Sequence, residues 1–251
     1  MSYAEDIIYR YDGTFDGFLC CIFESYTKKE IPSAILSEND IQYTIYPEKN
    51  IETVLENSQR VFSSFSKKMG KEAEKIIKYA FLTCMENKEI TIYKFIRIGY
   101  EKGNQILNML TDDTVSKVLK AVHYLKKEAH LFTGFIRFCE LDGFLVSQIE
   151  PNNFVLPILA GHFIDRYSQE NFVIYDKTYR VALVYKEHKA TIMNIENFNI
   201  PKGDEQELFY SQLWKNYYNN IAIKERYNPK CRRNMMPKRY WINMLEVKEE
   251  L

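Results

Sequence analysis

The stretch that decides the fold is NFVIYDKTYRVALVYKEHKATIMNI, residues 171–195. It contains three runs rich in β-branched and aromatic residues, Phe172–Tyr175, Arg180–Tyr185 and Thr191–Ile195, separated by only a few polar residues. Short polar breaks between such runs are typical of hairpins rather than of crossover helices. Tyr175-Asp176-Lys177 is the predicted turn between the first two runs. These residues therefore predict antiparallel strands.

The sequence before this stretch extends the same pattern. Leu131–Phe138 and Phe144–Ile149 are further predicted strands, joined by a turn at Leu141-Asp142-Gly143. A helix from Pro151 to about Arg166 interrupts them. Strands joined by short turns, with helices elsewhere in the chain, indicate an α+β fold with a mostly antiparallel sheet in the second half and a helical segment packed beside it.

The first half is predicted to be mostly helical. Ile7–Tyr11 is a predicted strand, Thr14 is the predicted N-cap of the helix that follows, and Ile41–Tyr46 alternates like a strand or a linker. Apolar spacing then predicts helices at 51–69 after an Asn50 cap, at 72–86, at 90–101, at 106–110, and from an Asp113 cap to Leu125. We expect residues 1–251 to form a single α+β unit. A tentative division separates a helical segment, 50–129, from a sheet with a C-terminal helix and a basic, aromatic tail, 130–251.

Composition excludes several classes of function. Lys and Arg together number 34, as do Asp and Glu, so no overall positive charge indicates a nucleic-acid protein. No segment resembles a secretory signal or a membrane span, and the five cysteines show no metal-ligand spacing, so we expect a cytoplasmic chain with free thiols. Neither a phosphate-binding nor a dinucleotide-binding glycine motif is present, and no metal or cofactor is predicted. Asp12 and Asp16 are interpreted as helix-start residues rather than metal ligands.

The positive charge is concentrated near the end, in LWKNYYNNIAIKERYNPKCRRNMMPKRYWINMLE, residues 213–246. Within it, Glu225 is the one acidic residue among seven cations between positions 224 and 239. Clustered cations neutralise phosphates, and interleaved rings can stack on unpaired bases. The predicted nucleic-acid-binding residues are Arg226, Lys230, Arg232, Arg233, Lys238, Arg239, Tyr240 and Trp241. Pairing with the acidic segment 204–207, or packing of Trp241 and the adjacent methionines on the core, is the structural alternative.

A hydrolytic centre is the second hypothesis. His162 and Asp165 lie one helical turn apart, so the carboxylate could orient the imidazole, and Asp176 could complete a site that activates water. The same spacing also arises in an ordinary hydrogen bond on a helix face. These residues alone therefore do not decide whether the chain is an enzyme.

Several segments together resemble a bacterial family of unknown function known as "probable DNA metabolism protein". They are YDGTFDGFLCCIFESY, HLFTGFIRF, PNNFVLPILAGHFIDRY, FVIYDKTYRVALVY and the 213–246 stretch ending in MLE. The resemblance implies a companion protein of the radical-SAM class suspected of DNA modification or repair, and related domains are fused to uracil-DNA-glycosylase-type domains. It also implies functional positions, without assigned roles, at Arg232, Met236, Pro237, Arg239, Tyr240, Trp241, His162 and Arg166.

Three functions follow as expectations. The first is a DNA-binding accessory protein that presents DNA to a radical-SAM partner, which would itself hold the iron–sulfur cluster. The second is a glycosylase-like or nuclease-like hydrolase that uses His162 with Asp165 or Asp176. The third is a protein-interaction module whose basic, aromatic tail binds an acidic partner.

Overall fold

The computed structural model describes residues 7–38, 40, 45–195, 198, 205–221 and 223–247. The chain divides into two compact units, residues 1–125 and 126–251. That the whole chain works as one α+β unit stays a prediction, and each unit is described by itself below.

Unit 1 contains a three-stranded parallel sheet that the sequence did not predict. The central strand β1 (Ile8–Tyr11) lies between β2 (Ala34–Ser37) and β3 (Glu48–Asn50). Helix α1 (Phe15–Lys28) connects β1 to β2, and its N-cap is Thr14, whose hydroxyl accepts a hydrogen bond from the amide of Gly17 at 3.0 Å. The predicted strand at the N-terminus and the predicted Thr14 cap are therefore confirmed.

The predicted Asn50 cap is wrong. Asn50 ends β3, where the backbone pairs with Arg10 of β1, and the helix α2 begins only at Leu55 and ends at Met69. Thr53 in the intervening segment donates to Asp12 at 2.8 Å, while Asp12 also accepts from the amide and hydroxyl of Thr14. Asp12 therefore joins the first βα turn to the segment before α2, as a structural hydrogen-bond acceptor.

Helices build the rest of unit 1. Gly70, at φ 87°, separates α2 from α3 (Lys71–Phe81), in a backbone conformation that glycine adopts without strain. Helix α4 (Lys88–Lys102) and a 3₁₀ segment (Gly103–Asn108) follow. The core of this unit includes the fully buried side chains of Phe18, Phe65, Ile77, Tyr93 and Phe95.

Helix α5 (Asp113–Phe135) contains two further corrections. Its first turn is capped by Asp112, which accepts from the amide of Val115 at 3.0 Å, and not by Asp113. The helix also continues through Leu131–Phe135, which the sequence predicted as part of a strand. Buried Leu125, Ala129 and Phe132 recur at helical spacing, and this periodicity outweighs the strand preference of the aromatic residues.

Unit 2 contains a five-stranded sheet in the order β4-β5-β6-β7-β8. The strands are β4 (Cys139–Leu141), β5 (Phe144–Ile149), β6 (Asn171–Asp176), β7 (Val181–Lys186) and β8 (Lys189–Asn194). Only β5 and β6 are parallel, and the chain between them forms α6 (Leu156–Arg166), which packs against β7 and β8. The predicted α+β class and mostly antiparallel sheet are confirmed.

The remaining elements belong to the C-terminal part of unit 2. They are α7 (Glu205–Ile221), a 3₁₀ turn (Lys224–Arg226), α8 (Pro229–Met235) and a second 3₁₀ segment (Lys238–Asn243). Residues 41–44 of the predicted strand at Ile41–Tyr46, and Asp204 of the acidic segment 204–207, lie outside the described residues. None of the described helices is long and apolar enough to cross a membrane.

Candidate functional site

Glu128 is a buried carboxylate that connects several segments of unit 2. It projects from the last part of α5 and its side chain is only 3% exposed. Its two oxygens accept hydrogen bonds from the amides of Asn152 and Asn153, at 3.0 and 2.9 Å, and from the side-chain amide of Asn153 at 2.6 Å. These bonds connect the segment after β5 to α5. They also provide the hydrogen-bond donors that a buried carboxylate requires.

Arg239 provides the positive charge for this carboxylate. Its Nη2 atom lies 3.0 Å from Glu128 Oε1 and also donates to the hydroxyl of Tyr240. Arg239 itself is 43% exposed, so one end of the ion pair faces solvent while the other is buried. A guanidinium has five N–H donors, and this pair uses only part of that capacity.

Asp176, at the end of β6, is a second buried carboxyl in the same unit, with no exposed surface. Its Oδ1 accepts from the amides of Thr178 and Tyr179, at 2.9 and 3.1 Å, and this holds the turn to β7. Its Oδ2 is buried and has no hydrogen-bond partner among the described residues. Burial raises the pKa of Asp176 to about 7. The two backbone hydrogen bonds oppose this rise, and the negative charge of Glu128 adds to it.

The basic segment does not trail from the fold as a tail. Tyr240 and Trp241 are 5% and 4% exposed, with Tyr240 packed against Phe132 and Phe135 of α5. The indole N–H of Trp241 donates to the carbonyl of Met236 at 2.9 Å. Stacking of these two rings on bases stays a prediction, and it would require them to leave the core of unit 2.

A second ion pair fixes the end of this segment. Glu246, whose side chain is 2% exposed, pairs with Arg137 at 2.6 Å and accepts from the indole N–H of Trp214 on α7 at 3.2 Å. Burial by itself would raise the pKa of Glu246, but the hydrogen bonds it accepts and the charge of Arg137 leave that pKa lowered. Residues 238–247 are thus held at both ends by buried carboxylates.

The other predicted nucleic-acid residues lie at the surface. Arg226, Lys230, Arg233 and Lys238 are exposed, and within the described residues no carboxylate lies in ion-pair range of them. Arg232 is partly buried, with its guanidinium 4.9 Å from the Trp241 ring. Met236 and Pro237 are half-buried beside the same turn.

The structure does not bring the predicted hydrolytic residues together. His162, Asp165 and Arg166 are exposed on α6, whereas Asp176 is fully buried. Over the described part of the chain, no hydrogen bond or ion pair links His162 to either aspartate, and no group of three or more metal-ligating side chains is present.

Glu128, Asn152 and Asn153 are site residues that the sequence reasoning missed. One signal was available for Glu128. It occupies a position between Leu125, Ala129 and Phe132 on the buried face of α5, where a charge requires a partner.

Residues 86–246 match the model of a domain of unknown function, DUF4130. The chain belongs to the DUF4130 family. The match contains Glu128, Glu246 and all the residues described above as their hydrogen-bond or ion-pair partners, and it ends at Glu246 itself. These contacts therefore lie inside the DUF4130 domain. No curated protein matches the chain significantly.

Proposed function

We propose that this DUF4130 protein binds nucleic acid through the C-terminal surface of unit 2, defined here as the exposed side chains of residues 213–239. It would act as an accessory protein in DNA repair or modification. The observation that supports this proposal most directly is the set of four exposed cations, Arg226, Lys230, Arg233 and Lys238, which no described carboxylate neutralises.

Cations that no described carboxylate neutralises are suited to phosphate contacts. An exposed Lys or Arg already paired with a carboxylate must give up that pair before it binds a phosphate, and an unpaired one need not. Lys230 and Arg233 lie one turn apart on α8, whose first turn is capped by Asn228 at 3.0 Å from the amide of Cys231. The helix therefore presents both charges from a fixed backbone.

Exposed rings accompany these cations. Tyr217 and Tyr227 are 58% and 64% exposed, and Tyr217 stacks on Trp214 with ring centroids 5.8 Å apart. Such rings can accept an unpaired base on their free faces. In this proposal they take the stacking role that the sequence assigned to Tyr240 and Trp241.

The buried ion pairs support the surface rather than bind the ligand. Because Arg239 neutralises Glu128 and Tyr240 packs on α5, the segment that follows α8 is held in place. Lys238, next to Arg239, is consequently presented from a fixed backbone, which lowers the entropic cost of binding an extended polyanion. Presentation of DNA to a radical-SAM partner rests on the family resemblance described above.

The test compares two double variants that remove the same charge. Lys230→Ala/Arg233→Ala removes two cations from α8, and Lys186→Ala/Lys189→Ala removes two from the β7–β8 hairpin. Fluorescence anisotropy with labelled single-stranded and duplex DNA is measured at several salt concentrations. We expect the α8 variant to lose at least tenfold in affinity and to reduce the slope of log Kd against log salt by up to about 1.8 for duplex DNA.

The hairpin variant is the matched control and should bind as the natural chain does. Equal losses in both variants would mean that only net charge matters and would reject the proposed surface. If the unmodified chain binds no DNA at any salt concentration, nucleic-acid binding is rejected. Salt-sensitive binding to a radical-SAM protein in that case would identify an interaction module.

A further inference from the structure

Unit 1 contains a cavity of about 300 Å³ between α1, α2 and α4. This volume is at the lower end of the range of small-molecule sites in proteins. Of its lining residues, only Tyr100 lies within the DUF4130 match, so the cavity is largely a feature outside that domain.

One wall of the cavity is cationic. Arg60, Ser64 and Lys68 follow each other at four-residue spacing on α2, so they occupy one face of the helix. Arg60 and Lys68 are exposed, and the lining contains no carboxylate. The guanidinium of Arg60 lies 5.8 Å from the centroid of the Phe23 ring, at the border of the cavity. Two exposed cations at this border would favour an anion.

A second part of the lining is aromatic. Phe23 and Tyr26 come from α1 and Tyr100 from α4, and the rings of Tyr26 and Tyr100 meet edge to face with centroids 5.5 Å apart. Lys68 Nζ lies 4.5 Å from the centroid of the Tyr100 ring. Ile22 and Val61, both buried, add apolar surface to the lining. The cavity therefore combines a flat apolar surface with positive charge at its edge.

Hydrogen bonds fix the polar groups between the two walls. Ser64 donates to the carbonyl of Val61 at 2.6 Å, and the hydroxyls of Ser64 and Tyr100 lie 2.6 Å apart. Because the Ser64 proton is used in the first bond, Tyr100 is the donor in the second. The Tyr100 ring is consequently held in one orientation across the cavity.

We propose that this cavity binds a mononucleotide. Its phosphate would lie over Ser64 between Arg60 and Lys68, and its base would pack against Phe23, Tyr26 and Tyr100. A phosphate alone would use only the cationic wall, and a nucleoside alone only the aromatic one. A ligand that joins the two chemistries uses the whole lining.

The experiment is isothermal titration calorimetry of the full chain with AMP, GMP, CMP and UMP, and with adenosine and inorganic phosphate as partial ligands. We expect at least one mononucleotide to bind at least tenfold more tightly than either partial ligand. The Arg60→Gln/Lys68→Gln variant should lose at least tenfold in affinity for it. Lys67→Gln/Lys71→Gln removes two neighbouring exposed cations outside the lining and should leave affinity unchanged.

Three results would overturn the inference. The first is no binding of any mononucleotide to the natural chain. The second is equal affinity for inorganic phosphate and nucleotide, because the aromatic wall would then contribute nothing. The third is nucleotide binding that survives Arg60→Gln/Lys68→Gln but is lost in Lys230→Ala/Arg233→Ala, which would assign the nucleotide to the C-terminal surface. Circular dichroism of each variant separates lost binding from lost fold.

Discussion

Asp176 lies in an environment very different from that of a free side chain in water. It is fully buried, and one of its oxygens has no hydrogen-bond partner in the part of the chain that the structure describes. Its pKa rises from 3.8 to about 7. Because the folded chain holds this proton more tightly than the unfolded chain, the contribution of Asp176 to stability falls as pH rises from 3.8 to about 7 and is constant above that range. Over this pH range the total loss of unfolding free energy from Asp176 is about 4 kcal/mol at most.

Asp176→Asn should remove this pH dependence, since the amide keeps an oxygen for the amides of Thr178 and Tyr179 but carries no charge. Between pH 5 and pH 8 we expect the natural chain to lose about 2–3 kcal/mol of unfolding free energy relative to the variant. Urea denaturation at both pH values measures the difference. Parallel behaviour of the two proteins would show that Asp176 is already ionised at pH 5.

Arg239 contributes to stability by neutralising the buried Glu128 carboxylate. Arg239→Ala leaves the Glu128 carboxylate buried without its cation, and we expect a loss of about 1–3 kcal/mol because the arginine is partly exposed. Lys230→Ala, on an exposed cation without an ion pair in the described structure, should change stability by less than about 0.5 kcal/mol.

A double-mutant cycle of Arg239→Ala with Glu128→Gln identifies the source of that loss. A coupling energy near zero would contradict a role for the ion pair. Arg239→Ala can also lower the fraction of folded protein. Any loss of DNA binding measured for this variant must therefore be corrected for that fraction.

At the scale of elements, α7 and the turn that follows it present the exposed rings of the C-terminal surface. Tyr227→Ala should weaken binding of single-stranded DNA about 5- to 150-fold, the range given by 1–3 kcal/mol per stacked base, and should change duplex binding little. Tyr124→Ala is the matched control, since Tyr124 on α5 is 65% exposed, close to the 64% of Tyr227. Anisotropy titrations in which both variants bind single strands equally well would exclude Tyr227 from the site.

The elements also show where sequence reasoning succeeds and where it fails. The hairpin from β6 to β8 follows from alternating, β-branched runs and short polar turns, which are local properties. The strand predicted at Leu131–Phe135 is wrong because an aromatic-rich segment is compatible with either a strand or a helix. Here the preceding turns of α5 continue into it as a helix. The predicted Asn50 cap is wrong because Asn50 pairs in β3 with Arg10, which is distant in the sequence.

At the scale of the whole molecule, a net charge of zero conceals an uneven distribution. The two proposed ligand sites lie in different units, one on the surface at residues 213–239 and one in the cavity lined by α1, α2 and α4. Each site has its own charge-removing variant and its own matched control. Loss of one function with retention of the other would therefore be interpretable without assumptions about how the units are arranged.

The sequence by itself determined the α+β class, the mostly antiparallel second sheet and the concentration of cations near the C-terminus, because periodicity and local charge depend on neighbouring residues. Only the tertiary structure decided that Glu128 meets Arg239, that Glu246 meets Arg137, and that Tyr240 and Trp241 are buried. These contacts join residues about a hundred positions apart, and no local pattern encodes such a pairing. Burial then decides which members of one basic, aromatic segment stabilise the fold and which remain exposed to bind a ligand.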